Sequence, residues 1–551
     1  MNTTKRILFF TLISAAALTG CKKFVDVNGT NPNTATETRT DFVMSGALGT
    51  TYRNQVSTNV LIVPGTWTGV YAHSTSFTGG GNEKTYEFTT ADFNAYSPLF
   101  DNLVDYQYVI NNADKDGYSF WKDPANVMQC YVYQQLVDLY GDVPYTEAFQ
   151  GINNITPHFT NQKVIYEDLV VRLDSAMDRM NRTLWPTSSD FTVQDIMFAL
   201  NKTRWIQFAN TLKLRILMRQ SFMGPTRDAY IQAKATTRLA NGFIDQNVLV
   251  QPGYVSISGK LNPFYANFGY NEINNVQSNY QYRKMNKVII DFMKNVSNTA
   301  GGSADTFRLQ SLAYPAGSTF ATSTSALTSI TGTGATVGSY IGVPLGAGSG
   351  YSTAGASPIG PFQVQVPLGT RAGMMMLLAE LKFLQAEYTQ RYGVTFGGKT
   401  AQTLFEEGVR DHFRTIAAPS TAGNTANAIY DAAAARYVAR LGLTSIYGTP
   451  TSFVNYTLST NKIQTILIQK WIAQTHINGL DQWSDYRKSN TTTAAVPSST
   501  ANVPFNVRTV ASTTNPEPVR YLYPQLVYDV NTQNAPQNID RFLSKIFWDV
   551  N

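Results

Sequence analysis

Apolar residues recur at helical spacing over much of the chain, most clearly between residues 123 and 141. Two stripes run along this segment, one through Met128, Val132, Leu136 and Leu139, the other through Cys130, Tyr133, Val137 and Tyr140. Burial on most sides makes Cys130 a packed core thiol. Asp123 is placed to cap the helix, Pro124 to stand in its first position, and Gly141 to end it. The segment is therefore predicted to be a buried helix.

The same period of about 3.6 residues predicts helices along both ends of the chain. These helices lie at 42–52, 98–113, 165–180, 191–222, 371–391, 405–413, 425–440, 463–471 and 539–547. Asn478 and Gly479 are expected to stop the helix that begins near residue 463.

Three stretches, 243–282, 297–369 and 489–538, lack this period and are rich in small, polar and aromatic residues. They are predicted to be loop-rich insertions. Short connections between the flanking helices favour antiparallel pairs, which resemble tetratricopeptide packing without a clean repeat of about 34 residues. The predicted fold is mainly α. One domain is expected at 36–551, with a tetratricopeptide-like helix-pair scaffold and these loop-rich insertions.

The first 35 residues follow a different pattern. Lys5 and Arg6 precede an apolar run that ends at Leu18, and small residues lead to Cys21. This arrangement is typical of a signal peptide, and its end resembles a bacterial lipobox, in which the cysteine is acylated. We expect a signal peptide at 1–20, lipidation at Cys21 and a membrane tether at 21–35. The alternative is a secretory signal with an incidental cysteine.

Composition narrows the possible functions. The net charge of +6 falls to +4 when Lys5 and Arg6 leave with the signal, and no dense basic block remains. Nucleic-acid binding is therefore not predicted. No apolar run of about 18 residues follows Cys21, so no transmembrane helix is predicted. Charged residues make up 15% of the chain and aromatic residues 12%, a composition that suits uncharged polar ligands.

The segment from Gly393 to Thr400 matches the P-loop pattern of nucleotide-binding proteins. That mechanism requires a preceding strand, whereas a predicted helix precedes this segment. We expect a turn between two helices, with Gly393 as the C-cap and Thr400 as the N-cap. No cofactor is predicted.

Asn112, Asp114, Asp116 and Asp123 follow the spacing of a calcium loop, with departures at the first and last positions. A solvated loop between helices is the favoured interpretation, and calcium binding is the alternative. The four histidines form no metal-ligand pair, and Asp481 and Asp485 are expected on a solvated helix face. No metal site and no catalytic residue is predicted.

Aromatic residues gather in two loop-like stretches, where binding residues tend to lie. The candidate ligand-binding residues are Trp67, Tyr71, His73, Tyr86, Tyr265, Phe268, Tyr270 and Tyr280. Flat rings offer apolar area to a sugar face or a peptide backbone, and neighbouring amides supply hydrogen bonds. The alternative is that each ring holds its own loop against the scaffold.

Five segments form an ordered set: Gln135–Tyr145 (QLVDLYGDVPY), Leu377–Glu380 (LLAE), Gln469–Ala473 (QKWIA), Gly479–Arg487 (GLDQWSDYR) and Arg520–Pro524 (RYLYP). We call these the signature segments. Together they resemble the SusD/RagB nutrient-binding lipoproteins of Bacteroidetes. Their order, together with Cys21, extends the resemblance over nearly the whole mature chain. Residues such as Gly141, Pro144, Trp483 and Arg487 are expected to be structural.

The resemblance implies a non-catalytic protein whose loop-rich insertions form the ligand face and bind an oligosaccharide, or in some members a peptide. It also implies a place on the outer membrane, facing the cell exterior, beside a SusC-like TonB-dependent transporter that the protein covers. An exported glycoside hydrolase is the third hypothesis, and it would require two carboxylates across a cleft. Lys22 and Lys23 follow the cysteine in place of the acidic run often associated with surface export in this phylum.

Overall fold

Most of the apolar stripes fold as α-helices in the computed structural model of the protein. The structure describes residues 38–79, 81–186, 192–295, 305–318, 337–365, 368–417, 428–439, 453–489, 509–512 and 515–550. The predicted signal peptide, Cys21 and the tether lie outside these residues. So do parts of the second and third insertions.

The described residues form nineteen α-helices, numbered here in chain order. The first ten are α1 Thr40–Gln55, α2 Val63–Trp67, α3 Gly81–Thr85, α4 Tyr96–Asn112, α5 Lys122–Tyr140, α6 Gln162–Arg182, α7 Lys202–Met218, α8 Pro225–Ala235, α9 Pro263–Phe268 and α10 Ser278–Tyr282. The rest are α11 Lys287–Asn295, α12 Thr306–Leu312, α13 Pro361–Val364, α14 Leu378–Tyr392, α15 Ala401–Ala417, α16 Ala428–Val438, α17 Lys462–Ala473, α18 Gly479–Ser489 and α19 Gln525–Val530.

The long helices pack in sequence order. Helix α1 lies against α4, α4 against α5, α5 against α6, and α6 against α7. The second half repeats the arrangement, with α14 against α15 and α15 against α16, while α14 also contacts α7 and α17. This packing of successive helices confirms the mainly α helix-pair scaffold. None of the described helices is long and apolar enough to span a membrane.

Three short antiparallel strand pairs connect distant parts of the chain. They are β1 (Tyr71–His73) with β5 (Arg283–Met285), β2 (Val143–Pro144) with β3 (Phe159–Thr160), and β4 (Val248–Val250) with β6 (Gly373–Met376). The β1–β5 pair joins the first aromatic stretch to the second, and β4–β6 ties the first insertion to the residues before α14. The first insertion is therefore fastened to the scaffold by backbone pairing.

The start of α5 differs from the prediction. The helix begins at Lys122, and Asp123 makes no capping hydrogen bond; its carboxylate accepts one from Arg179 Nε at 2.7 Å. Gly141 does end the helix, with a φ of 78° that favours glycine. The Asp123 prediction was wrong because a neighbouring helix supplied a stronger partner than the backbone.

Gly479 is not a stop signal but the first residue of α18. A Cβ at this position would lie 1.9 Å from the carbonyl oxygen of Leu61, so glycine is required by close packing against the chain before α2. The helix predicted at 191–222 is restricted to Lys202–Met218. The carboxylate of Asp195 holds the preceding turn by accepting hydrogen bonds from Met197, Phe198 and Leu200.

Two further expectations are corrected. Residues 539–547 form turns and irregular structure instead of a closing helix. The insertion at 243–282 contains β4, α9 and α10, so it is more ordered than the predicted loops. Its aromatic rings explain the difference, because they pack into the main apolar core and hold the backbone in place.

Candidate ligand-binding face

The signature segments meet in a buried cluster of ionised side chains, which we call the charged core. Its members are Asp138, Arg215, Arg219, Glu380, Glu387, Lys470, Asp481, Asp485, Arg487 and Lys488, each at most 3% exposed. They come from α5, α7, α14, α17 and α18. Five acidic groups face five basic groups, so the cluster is neutral overall.

Each carboxylate of the charged core has a cationic partner. Arg215 Nε lies 2.6 Å from Glu380, and Lys470 Nζ lies 2.9 Å from Asp485. Arg219 binds Asp481 and also contacts Asp138 at 3.3 Å. Burial opposes ionisation of Asp481, but Arg219 and Arg215 outweigh it and hold its pKa well below the ordinary range. The charged groups of the core therefore neutralise one another.

The expected structural role of the signature residues agrees with this geometry. Trp483 is 1% exposed, and the Arg487 guanidinium lies 3.7 Å from its ring centroid. Arg487 also donates to the carbonyl oxygens of Asp138 and Val519 at 2.8 and 2.7 Å. The expectation of a solvated helix face for Asp481 and Asp485 was wrong, because α18 is enclosed by α2, α5 and α17.

A second region, which we call the insertion face, consists of residues 71–79, 263–285, 305–318 and 337–365. Backbone hydrogen bonds hold its segments side by side: the Ser74 amide donates to the Tyr282 carbonyl at 2.8 Å, Thr75 to Tyr351 at 2.8 Å, and Met285 to Ser357 at 2.9 Å. Residues far apart in sequence thereby share one surface, and the loop before α10 presents Ile273 at 69% exposure.

The structure places all eight predicted ligand-binding side chains in the interior. Trp67, Tyr71, His73, Tyr86, Tyr265, Phe268, Tyr270 and Tyr280 are each at most 4% exposed. Trp67 packs against Phe88 and Trp483, with ring centroids 5.5 and 5.0 Å apart, and its indole N–H donates to the Glu83 carbonyl at 3.1 Å. Trp67 and Tyr86 belong to the core beside α18, which favours the alternative that each ring holds its own loop against the scaffold.

Tyr71 and His73 also have structural partners. The Tyr71 hydroxyl contacts His476 Nδ1 at 2.9 Å. Arg283 Nη1 donates to Glu83 at 2.6 Å and to His73 Nε2 at 2.7 Å, so that ring nitrogen must be unprotonated. Burial lowers the pKa of His73. These contacts join β1 to β5.

The remaining candidates take part in a group of tyrosines on the insertion face, which we call the tyrosine cluster: Tyr265, Tyr270, Tyr280 and Tyr314. The Tyr270 ring centroid lies 6.0 Å from that of Tyr265 and 5.8 Å from that of Tyr280. Phe268 lies below them, packed on Phe264. Sequence analysis missed Tyr314, because it lies in another insertion and only the fold brings it here.

The hydroxyl groups of the tyrosine cluster differ in their partners. Tyr280 donates to the Ile359 carbonyl at 3.0 Å. Within the described residues, the hydroxyls of Tyr265, Tyr270 and Tyr314 make no hydrogen bond, and none of these oxygens is sealed from solvent. Burial raises the pKa of Tyr270 to about 12, so it remains a neutral donor and acceptor at neutral pH. Three hydroxyl groups are thus available to a polar ligand.

The P-loop-like segment forms the predicted turn. Gly393 ends α14 in the left-handed conformation with φ 70°, and the Thr400 hydroxyl accepts from the Thr403 amide at 3.1 Å. A cavity of about 450 Å³ lies beside the turn. Lys399 lines this cavity, and its ammonium lies 2.6 Å from the Glu407 carboxylate, so the lysine is already paired.

The three carboxylates that follow the spacing of a calcium loop each have a partner within the protein. Asp116 accepts from the Thr40 amide at 2.9 Å, Asp114 pairs with Lys122 at 2.7 Å, and Asp123 pairs with Arg179. Across the part of the chain that the structure describes, no group of three or more His, Cys, Asp or Glu side chains is arranged to hold a metal ion.

The helix-pair scaffold with its loop-rich insertion face defines a fold class, and the comparisons with known proteins identify its family. The family model described as SusD-like, starch-binding associating with outer membrane, matches residues 32–524. The chain belongs to this family, which confirms the predicted resemblance. No curated protein matches the chain.

Solved structures of SusD homologs share the fold. A chitin-binding homolog from Flavobacterium johnsoniae is 20% identical with a TM-score of 0.66, and the match covers 92% of this chain and 99% of the homolog. A homolog from Bacteroides fragilis is 19% identical with a TM-score of 0.65, and the match covers 94% and 98% of the two chains. A homolog from Bacteroides thetaiotaomicron is 17% identical with a TM-score of 0.65, covering 94% and 100%.

Proposed function

We propose that the protein is a non-catalytic outer-membrane lipoprotein that binds an oligosaccharide on its insertion face and delivers it to a SusC-like TonB-dependent transporter. The observation that carries the proposal is the set of three tyrosine hydroxyls without a protein partner, at Tyr265, Tyr270 and Tyr314. A sugar presents hydroxyl groups of matching chemistry and an apolar ring face for the aromatic surface. The starch-binding description of the family and the chitin-binding homolog support a saccharide ligand.

The carboxylates of the insertion face support binding without turnover. Its described segments contain two, Asp305 and Glu272. Asp305 is 2% exposed and binds Arg308 Nε at 2.5 Å. Glu272 stands alone on the exposed loop before α10. A glycoside hydrolase needs two carboxyl groups on opposite sides of the scissile bond, and this pair does not provide them.

Anchoring through Cys21, exposure on the outer face and the transporter partner form the second part of the proposal. Support comes from the lipobox-like sequence and from the outer-membrane description of the family. A Cys21→Ser variant should move from the membrane to the soluble fraction. External protease should cleave the wild-type protein on intact cells, and a TonB-dependent transporter should co-purify with it from detergent extracts.

Ligand binding is tested by calorimetric titration of the soluble form that lacks residues 1–21. The panel contains gluco-, chito- and uronate-containing oligosaccharides, and mixed peptides of similar length. Binding of an oligosaccharide without release of shorter products is the expected result. Binding of peptides alone would favour the peptide-binding alternative, and release of shorter products would overturn the non-catalytic assignment.

A further inference from the structure

The insertion face contains a lysine ammonium that the protein itself leaves without a partner. Lys284, in β5, is 0% exposed. Its Nζ atom is sealed from solvent and makes no hydrogen bond or ion pair with any described residue. Burying a cation without a counter-charge is costly. This isolation contrasts with the charged core, where every lysine and arginine has a carboxylate or carbonyl partner.

The strand register shows where Lys284 lies. It pairs with Ala72 across β1–β5, and directly paired residues share one face of a sheet. Ala72 belongs to a small apolar cluster with Val343 and Ala356, against which Ala347 and Tyr351 pack. Lys284 therefore lies on the side of the sheet that the loop 343–356 covers.

The covering loop supplies no negative charge. Residues 343–356 contain neither Asp nor Glu and are mainly Gly, Ala and Ser. The loop is attached to the chain after β1 by polar contacts: the Tyr351 amide donates to the Thr75 hydroxyl at 3.0 Å, and the Thr353 amide donates to the Ser76 hydroxyl at 3.1 Å. Its tip, residues 348–350, is exposed. Because the ammonium is sealed from solvent, a ligand could reach it only if part of this cover moved.

We propose that Lys284 binds an anionic group of the ligand, so that the preferred oligosaccharide is acidic. A uronic acid carboxylate and a sulfate ester share the required chemistry, because either places charged oxygens on the ammonium. The inference rests on the proposed saccharide function and specifies its substrate class. Lys284 follows Tyr280 by four residues on the continuous segment α10–β5, so the cation and the tyrosine cluster belong to neighbouring parts of the insertion face.

The ionisation of Lys284 agrees with this role. Burial alone lowers its pKa to about 8, and no charged group contributes. His73 and Arg283 lie on the opposite side of the strand pair together with Glu83, and the covering loop contributes only Tyr351. The ammonium is therefore mostly protonated at pH 7, and an anion bound to it would raise its pKa.

The test compares matched neutral and acidic oligosaccharides by calorimetry, with uronate and sulfated forms as separate arms and inorganic sulfate as the free-anion probe. We expect the wild-type protein to prefer one acidic form at least tenfold over the neutral form. Lys284→Met should abolish that preference, keep the affinity for neutral sugar, and raise Tm because an unpaired buried charge is removed. Lys260→Met, at an exposed lysine, removes the same charge and should retain the preference.

Three results would overturn the inference while leaving the saccharide function intact. They are equal affinity of the wild-type protein for neutral and acidic oligosaccharides, an acidic preference that survives Lys284→Met, and inorganic sulfate binding as tightly as the sulfated sugar. Failure of every oligosaccharide to bind would instead overturn the proposed function. Retained neutral-sugar binding and a measured Tm show that the Lys284→Met variant is folded.

Discussion

The charged core and the insertion face bury polar groups in opposite ways. The charged core contains ten ionised side chains, and each carboxylate lies beside a cation from another helix. The insertion face buries Lys284 without a counter-ion and leaves the hydroxyls of Tyr265 and Tyr270 without a protein partner. The paired charges of the charged core hold helices together, whereas the unpaired ammonium and hydroxyls of the insertion face are the groups that we propose for ligand binding.

The family signature and the proposed ligand site occupy different parts of the chain. The signature segments contribute Asp138, Glu380, Lys470, Asp481 and Arg487 to the charged core. Removing one member leaves a buried opposite charge, which gives these positions a structural role. The tyrosine cluster and Lys284 lie outside the signature segments, so their residues can change with the ligand without loss of the scaffold.

The largest effect is expected for Asp481→Ala. The substitution leaves Arg219 without its closest carboxylate in a site that water does not reach, which costs about 3–5 kcal/mol of unfolding free energy. Chemical denaturation of the soluble form measures it. Asp114→Ala is the control, because its exposed pair with Lys122 is worth about 0–1 kcal/mol. Equal losses in the two variants would show that the charged core is not a structural unit.

The next effect concerns His476, which lies on the link between α17 and α18 of the charged core. Its ring contacts two groups of the insertion face, the Tyr71 hydroxyl and the Leu312 carbonyl. Burial lowers its pKa from 6.5 to about 4. Between these pH values the unfolded state binds more protons, so stability falls as pH decreases from 6.5 to 4, by about 3 kcal/mol from this group.

His476→Asn tests this pH dependence. Asparagine tolerates the left-handed backbone at this position, where φ is 66°, and it does not titrate. Unfolding free energies measured from pH 4 to 7 should therefore fall less steeply on acidification in the variant. His73 and His412 remain buried in both proteins and contribute equally. Parallel pH profiles would contradict the assignment of His476 as a neutral junction between the regions.

A smaller difference in unfolding free energy is expected between two variants of the tyrosine cluster. Tyr280→Phe removes the donor to the buried Ile359 carbonyl and should cost about 1–2 kcal/mol. Tyr270→Phe removes a hydroxyl that has no protein partner, so the unfolding free energy should change by about 0.5 kcal/mol or less. Thermal and denaturant unfolding of both variants measure the difference. A larger loss for Tyr270→Phe would mean that its hydroxyl is structural.

The helices were predictable because their periodicity is local. The stripes between residues 123 and 141 predict α5, and Gly393 and Thr400 predict the turn between α14 and α15. Gly479 was misinterpreted because its reason, contact with the Leu61 carbonyl, involves a residue more than 400 positions away. Asp481 and Asp485 looked solvated for the same reason, since their cations lie on other helices.

The candidate site was predictable only in part. Tyr265, Tyr270 and Tyr280 were found because aromatic residues in an aperiodic segment stand out, but the same signal included Trp67 and Tyr86. The sequence alone could not separate Trp67 and Tyr86 from the three tyrosines. The packing of a ring outside the long helices depends on distant elements such as α18. No local sequence pattern marked Tyr314 or Lys284 as a candidate. They became candidates because the Tyr314 hydroxyl and the Lys284 ammonium make no hydrogen bond with the described residues.

The proposed ligand site is tested most directly by calorimetric titration of a Tyr265→Phe/Tyr270→Phe variant with the oligosaccharide that the wild-type protein binds best, together with a measurement of the variant's Tm. Affinity should fall at least about tenfold, as expected for two lost hydrogen bonds, while Tm stays unchanged. An unchanged affinity would contradict the assignment of the insertion face as the ligand site. A variant that lost both affinity and thermal stability would show that these hydroxyls also support the fold, which would contradict the separation of ligand groups from the scaffold.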